Sequence, residues 1–138
     1  MAFKFSKLSE SRLQGVKPKL ASVVRRALEI CAVDFMVVEG LRTIERQREL
    51  YAQGRTKPGN KVTWTLHSKH LEGNAVDLAP FVNGKVDWNN LKNFDAIAKA
   101  MLQASRELSV PIRWGADWDM DGIPREKGET DSPHFELA

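Results

Sequence analysis

Cysteine is nearly missing from this 138-residue chain: Cys31 stands alone. That excludes an internal disulfide framework and any all-cysteine metal site. Long apolar runs are missing as well. The longest, residues 30–33 and 35–38, are separated by Asp34 and fall far short of the roughly 18 residues that suggest a membrane span. No apolar stretch of export-signal length follows the basic opening Met1-Ala2-Phe3-Lys4-Phe5-Ser6-Lys7, so a cytosolic start is expected. Charge of one sign is scarce: 21 Lys and Arg oppose 18 Asp and Glu, a net of +3. This leans toward anionic partners such as nucleic acid, lipopolysaccharide or cell-wall polymer without choosing among them. What is present is a 42% hydrophobic content with no internal repeat, low-complexity tract or linker. A chain of this length buries roughly 70% of its unfolded surface as one domain, so residues 1–138 are expected to form a single catalytic or binding unit.

The periodicity predicts short strands interspersed with helices. Pro18 suits a first helical turn, and Leu20, Val23, Val24, Ala27, Leu28 and Cys31 then make one apolar stripe. Residues 35–38 are β-prone and are broken by Glu39-Gly40. Thr43 is a candidate cap for a helix over 44–53, with Gly54 as its stop. Residues 55–65 are polar, carry Pro58-Gly59-Asn60, and read as an exposed loop. A strand over 75–79 leads through Pro80 to a turn at Asn83-Gly84, and an amphipathic stripe runs from Trp88 to Leu108. Residues 112–114 and 134–137 read as final strands. Without regular βαβ crossovers, the class is compact α+β.

The chain holds three histidines. His67 and His70 lie together before a strand, and His134 opens the last one. A catalytic zinc commonly takes three His, Asp or Glu ligands and keeps a fourth position for water. His70, Asp77 and His134 supply such a set from separate elements, with Gly73 permitting a sharp loop between the first two. Asp131, three residues before His134, is placed to take a proton from water and return it to a leaving amine; locally it is also a turn residue before Pro133. Glu136 shares strand parity with His134 and is the second choice for that base. Trp88 and Trp114 are expected in the core, whereas Trp64, in the polar loop, is the candidate for substrate contact. Asp117, Asp119 and Asp121 followed by Gly122 form the first half of a calcium loop. Its twelfth position is Gly128, with Glu126 and Glu129 out of register, so calcium as a regulator rests on an incomplete pattern.

The stretches S-K-H-L-E-G-N-A-V-D, E-G-L-R-T with R-Q shortly after it, W-G-A-D-W and D-S-P-H-F-E-L resemble the zinc peptidases of the D-alanyl-D-alanine carboxypeptidase group. Within that group the chain is most similar to phage endolysins acting as L-alanyl-D-glutamate endopeptidases, of the T5 type, in order over residues 3–137. The resemblance implies a hedgehog/DD-peptidase-like fold with a small, mainly antiparallel sheet and packed helices. It implies that His70, Asp77 and His134 bind zinc, that Asp131 is the catalytic carboxylate, that Arg42 contacts the scissile carbonyl or its oxyanion, and that Ser68 helps place substrate. His67 is an extra histidine beside the expected ligand; His70 holds the family position relative to Gly73 and Asp77. The T5-type relative also suggests calcium-dependent behaviour.

The expected activity is thus hydrolysis of peptidoglycan stem peptides, causing host lysis. The chain is expected to act as a monomer without a nucleic-acid partner, residing in the host cytoplasm until a holin or similar route opens the inner membrane. D-Ala-D-Ala carboxypeptidase or dipeptidase action uses the same metal plan. A non-haem iron oxygenase shares a His/His/carboxylate set but wants a β-rich barrel. A non-enzymatic wall-binding or nucleic-acid-binding module would use Arg55, Lys57, Lys61 and Trp64.

Overall fold

Helices α1 (Lys7–Leu13) and α2 (Pro18–Ile30) precede strand β1 (Phe35–Glu39) and helix α3 (Ile44–Ala52). A 3-10 turn (Lys69–Glu72), β2 (Ala75–Val82), β3 (Lys85–Val86), α4 (Leu91–Leu108), β4 (Ile112–Trp114) and β5 (His134–Leu137) complete the order. The computed structural model describes residues 5–56, 58, 69–117 and 132–138.

The sheet runs β1-β2-β5-β4, all neighbours antiparallel, with β3 pairing β2 as a hairpin. Val37, Val76, Leu78, Phe135, Trp114 and Ile112 join one buried cluster with the stripes of α2 and α4. Each fully buried Val, Leu or Ile there is worth roughly 1.5–3 kcal/mol of hydrophobic transfer, so this two-layer core holds the sheet in place. In β2 and β5 the alternate residues, Asp77, His134 and Glu136, are left for the opposite face.

Helix α1 is short and has no apolar stripe; it adds Leu13 to the core and polar contacts to β1. Ser6 caps it by accepting from the Ser9 N–H. Ser9 Oγ in turn accepts from the Val37 N–H at 3.1 Å, and Arg12 donates to the Val37 carbonyl at 3.0 Å. The outer edge of β1 is thereby satisfied where it would otherwise present open backbone groups. Beside Val37 the ladder slips. Val37 pairs with Leu78, yet the next pair is Glu39 with Asp77, leaving Val38 as a bulge. The extra residue places Glu39 where regular alternation would have put Val38, so it shares a row with Asp77 and His134.

Several boundaries depart from the sequence expectations. α4 begins at Leu91, because the Asn90 side chain accepts from the Lys92 N–H. Trp88 lies outside the helix, stacks on Phe94 and is 52% exposed, so its expected core position is corrected. Its three-residue spacing from Leu91 imitates a helical stripe that the cap prevents. α4 ends with Ser109 in the left-handed region, before Pro111. The strand expected over 75–79 continues through Pro80 to Val82, and Gly73, at φ +72°, makes the sharp loop before it. A methyl group at Gly73 would overlap the Gly15 carbonyl, so glycine is required there by backbone angle and by space.

Candidate active site

β2 and β5 place Asp77 directly opposite His134. The 3-10 turn carries His70 to the same point, and one ligand atom from each of the three residues lies within 4.8 Å of the others. His70 Nδ1 is 2.9 Å from the Gly40 carbonyl, and its Nε2 is 3.3 Å from Asp77 Oδ1. His134 Nδ1 is 3.2 Å from the same Oδ1, and its Nε2 is 2.9 Å from Glu136 Oε1. The rings meet edge to face, 5.2 Å between centroids.

These partners define a charge problem. A carbonyl and a carboxylate only accept, so His70 must donate through Nδ1 to Gly40 and His134 through Nε2 to Glu136. A neutral imidazole carries one N–H. Each ring then turns a bare nitrogen toward Asp77 Oδ1, and lone pairs face lone pairs unless both rings are protonated or a cation lies among them. The donor set therefore fits a divalent metal, with the second nitrogen of each histidine oriented by an acceptor, as is usual for metal-binding histidines. Burial would raise the Asp77 carboxyl, but the His134 and His70 rings, which donate to Oδ1 when protonated, outweigh it and hold the group well below the ordinary carboxylate range. Asp77 is ionised and ready to act as a ligand.

Arg42 stands beside this centre, its side chain only 9% exposed. Nε donates to Glu39 Oε1 at 2.7 Å, Nη2 to Glu39 Oε2 at 2.6 Å, and Nη1 to Gln47 Oε1 at 2.6 Å. The Arg42 backbone N–H also donates to the His70 carbonyl at 2.9 Å. The loop after β1 and the turn bearing His70 are thus tied in both directions, Gly40 to the ring and Arg42 to the backbone.

The sequence-derived His70, Asp77 and His134 are brought together, with Arg42 alongside. Asp131, Ser68, Trp64, Asp119, Asp121 and His67 lie outside the described residues. Asp117 is buried in a turn after β4, its N–H bonded to the Trp114 carbonyl. Trp114 is buried as expected and donates its indole N–H to the Ser132 carbonyl at 2.7 Å. Arg55, considered for a basic binding patch, lies over the Tyr51 ring at 3.9 Å. Sequence reasoning assigned no role to Glu39 or Gln47, although both stand in the motifs quoted for the resemblance. It ranked Glu136 as the second choice for the base; in the structure Glu136 Oε1 lies 2.9 Å from His134 Nε2.

The phage L-alanyl-D-glutamate peptidase family model matches residues 1–138. The chain is 44% identical over 143 aligned residues to the L-alanyl-D-glutamate peptidase of Escherichia phage T5, covering 100% of both. It is 30% identical over 132 residues to the peptidoglycan L-alanyl-D-glutamate endopeptidase CwlK of Bacillus subtilis, covering 92% of this chain and 74% of the relative. Among solved structures it is similar to the L-Ala D-Glu endopeptidase ChiX of Serratia marcescens, with a TM-score of 0.80 and 37% identity over 99% of this chain and 90% of that one.

Proposed function

Since the chain belongs to the phage L-alanyl-D-glutamate peptidase family, we propose that it is a zinc peptidase that hydrolyses the L-alanyl-D-glutamate bond of peptidoglycan stem peptides and so lyses the host. The observation that carries this reading is the convergence of His70 Nε2 and His134 Nδ1 on one Asp77 oxygen. These three residues would hold the metal. Bound there, it would supply a Lewis acid for the scissile carbonyl and for water.

The rest of the work falls to the chain. Glu136 and the Gly40 carbonyl keep the two imidazoles in their ligand tautomers. Asp131 accepts a proton from the attacking water and delivers it to the departing D-glutamate nitrogen as the amide C–N bond breaks. Arg42 donates to the carbonyl oxygen as negative charge gathers on it, a task suited to a fixed guanidinium that stays charged. Ser68 and Trp64 contact the stem peptide. The products are an L-alanyl carboxylate and a new D-glutamyl amine, with no covalent enzyme intermediate. The 138 residues act as one catalytic unit, a monomer held in the host cytoplasm until the inner membrane is permeabilised, and Asp117, Asp119 and Asp121 bind a regulatory calcium.

Purified peptidoglycan, digested and analysed by mass spectrometry with identification of new amino termini, tests the central claim. New D-glutamate termini are expected. Release of D-alanine alone would replace it with the carboxypeptidase or dipeptidase reading. Asp131→Ala is expected to retain zinc and lose turnover, and full activity in that variant would require another base.

A further inference from the structure

The strand bulge at Val38 has one product that the metal chemistry does not explain: a carboxylate on the site face that is not among the ligands. We propose that Glu39 is the positioning residue for Arg42, fixing the guanidinium edge that faces the reacting carbonyl. The proposal rests on the reading of Arg42 as the oxyanion contact.

Three observations carry it. The Glu39 carboxylate engages Arg42 side-on through Nε and Nη2, at 2.7 and 2.6 Å. A two-bond fork fixes the guanidinium plane as well as its position, which a single contact does not. Gln47, fully buried on α3, takes Nη1 at 2.6 Å and closes the remaining freedom about the fork. Glu39 is also the β1 residue paired with Asp77, itself paired with His134. Arg42 is therefore indexed to the metal-ligand row through one strand position, and the link exists because Val38 is looped out. The Glu39 carboxylate bonds to Arg42 and acts through it.

The geometry also sets what each partner contributes. These bonds use three of the five N–H donors of a guanidinium, on its Nε side and at Nη1, so substrate is met by donors whose direction the clamp has already chosen. A carboxylate that were merely a strand-end acid would leave turnover indifferent to its charge.

The test is a double-mutant cycle on the zinc-loaded protein, with soluble muropeptides as substrate and zinc content and unfolding midpoint recorded for every variant. Glu39→Gln is expected to lower kcat by roughly 10- to 100-fold, the range that slight misplacement of a catalytic group produces, with KM within about threefold and zinc stoichiometry unchanged. In an Arg42→Ala background the same change is expected to cost less than about twofold, because the group it acts through is gone. Unchanged kcat in Glu39→Gln, or a full second loss on top of Arg42→Ala, would overturn the proposal. Wild-type turnover in Arg42→Ala alone would instead sink the oxyanion reading on which it rests. Should Glu39→Gln not fold, Glu39→Asp decides: its carboxylate is withdrawn by one methylene, so kcat falls if position matters, and full kcat overturns the proposal.

Discussion

Asp77 is the residue on which the site's electrostatics turn. Burial opposes its charge, and the His134 and His70 rings overcome that opposition, leaving the folded pKa below the unfolded one. A carboxylate depressed in this way stabilises the fold fully above its unfolded value near 3.9, and the contribution is lost as pH falls toward the folded value. In metal-free protein, Asp77→Asn is therefore expected to flatten the acid limb of the unfolding midpoint below about pH 4, measured by calorimetry across pH. An acid limb identical to that of the parent would show that the carboxylate is not coupled to folding. Glu136 gives a second prediction at this scale. It accepts from His134 Nε2 at 2.9 Å, so Glu136→Gln should weaken zinc affinity by roughly 10- to 100-fold, read by competition with a chromogenic chelator. Unaltered affinity would return Glu136 to the list of candidate bases.

At the level of elements, α1 acts on the site at one remove. Its Ser9 hydroxyl and Arg12 guanidinium hold both backbone groups of Val37, the residue before the bulge that presents Glu39. Ser9→Ala leaves a buried N–H without its acceptor and is expected to cost about 1–3 kcal/mol, read from urea unfolding; a change below about 0.5 kcal/mol would mean that another group replaces the hydroxyl. α1 was illegible in the sequence because it buries only Ser9 and Leu13, too few apolar positions to make a stripe at helical spacing. The helices α2 and α3 were legible because a continuous stripe and a Thr43 cap mark them. The bulge was hidden in Phe35-Met36-Val37-Val38, where uniform apolarity erases the alternation that reports strand parity. The candidate set His70, Asp77 and His134 was visible as residue types in order, but which ring nitrogen faces Asp77 depends on the Gly40 carbonyl and on Glu136, partners that only the folded chain supplies.

Across the whole molecule, the apolar core and the candidate metal site occupy opposite faces of one sheet. Val76, Leu78, Phe135 and Trp114 are buried with α2 and α4, while Asp77, His134 and Glu136 alternate with them on the other side. Stripping the metal is thus expected to abolish turnover while leaving far-UV circular dichroism and a cooperative unfolding transition in place. The drop in midpoint should depend on free zinc concentration, as linkage requires. Loss of the fold on chelation would mean that the two faces are not energetically separable. Among the described residues no helix is long and apolar enough to cross a membrane.

The β2–β3 hairpin gives this division a practical side. Asn83 and Gly84 both adopt positive φ, at 54° and 81°, as a two-residue hairpin turn requires, and nothing lies within 4 Å of where a Gly84 methyl would sit. Asp77 lies on β2 five residues before its last residue, Val82, about 16 Å at the usual rise per residue. β2 therefore works as a spacer with chemistry at one end and a vacant splice point at the other. Foreign sequence inserted between Asn83 and Gly84, such as a targeting peptide or a reporter, would project from the tip of the hairpin, away from His70, Asp77 and His134.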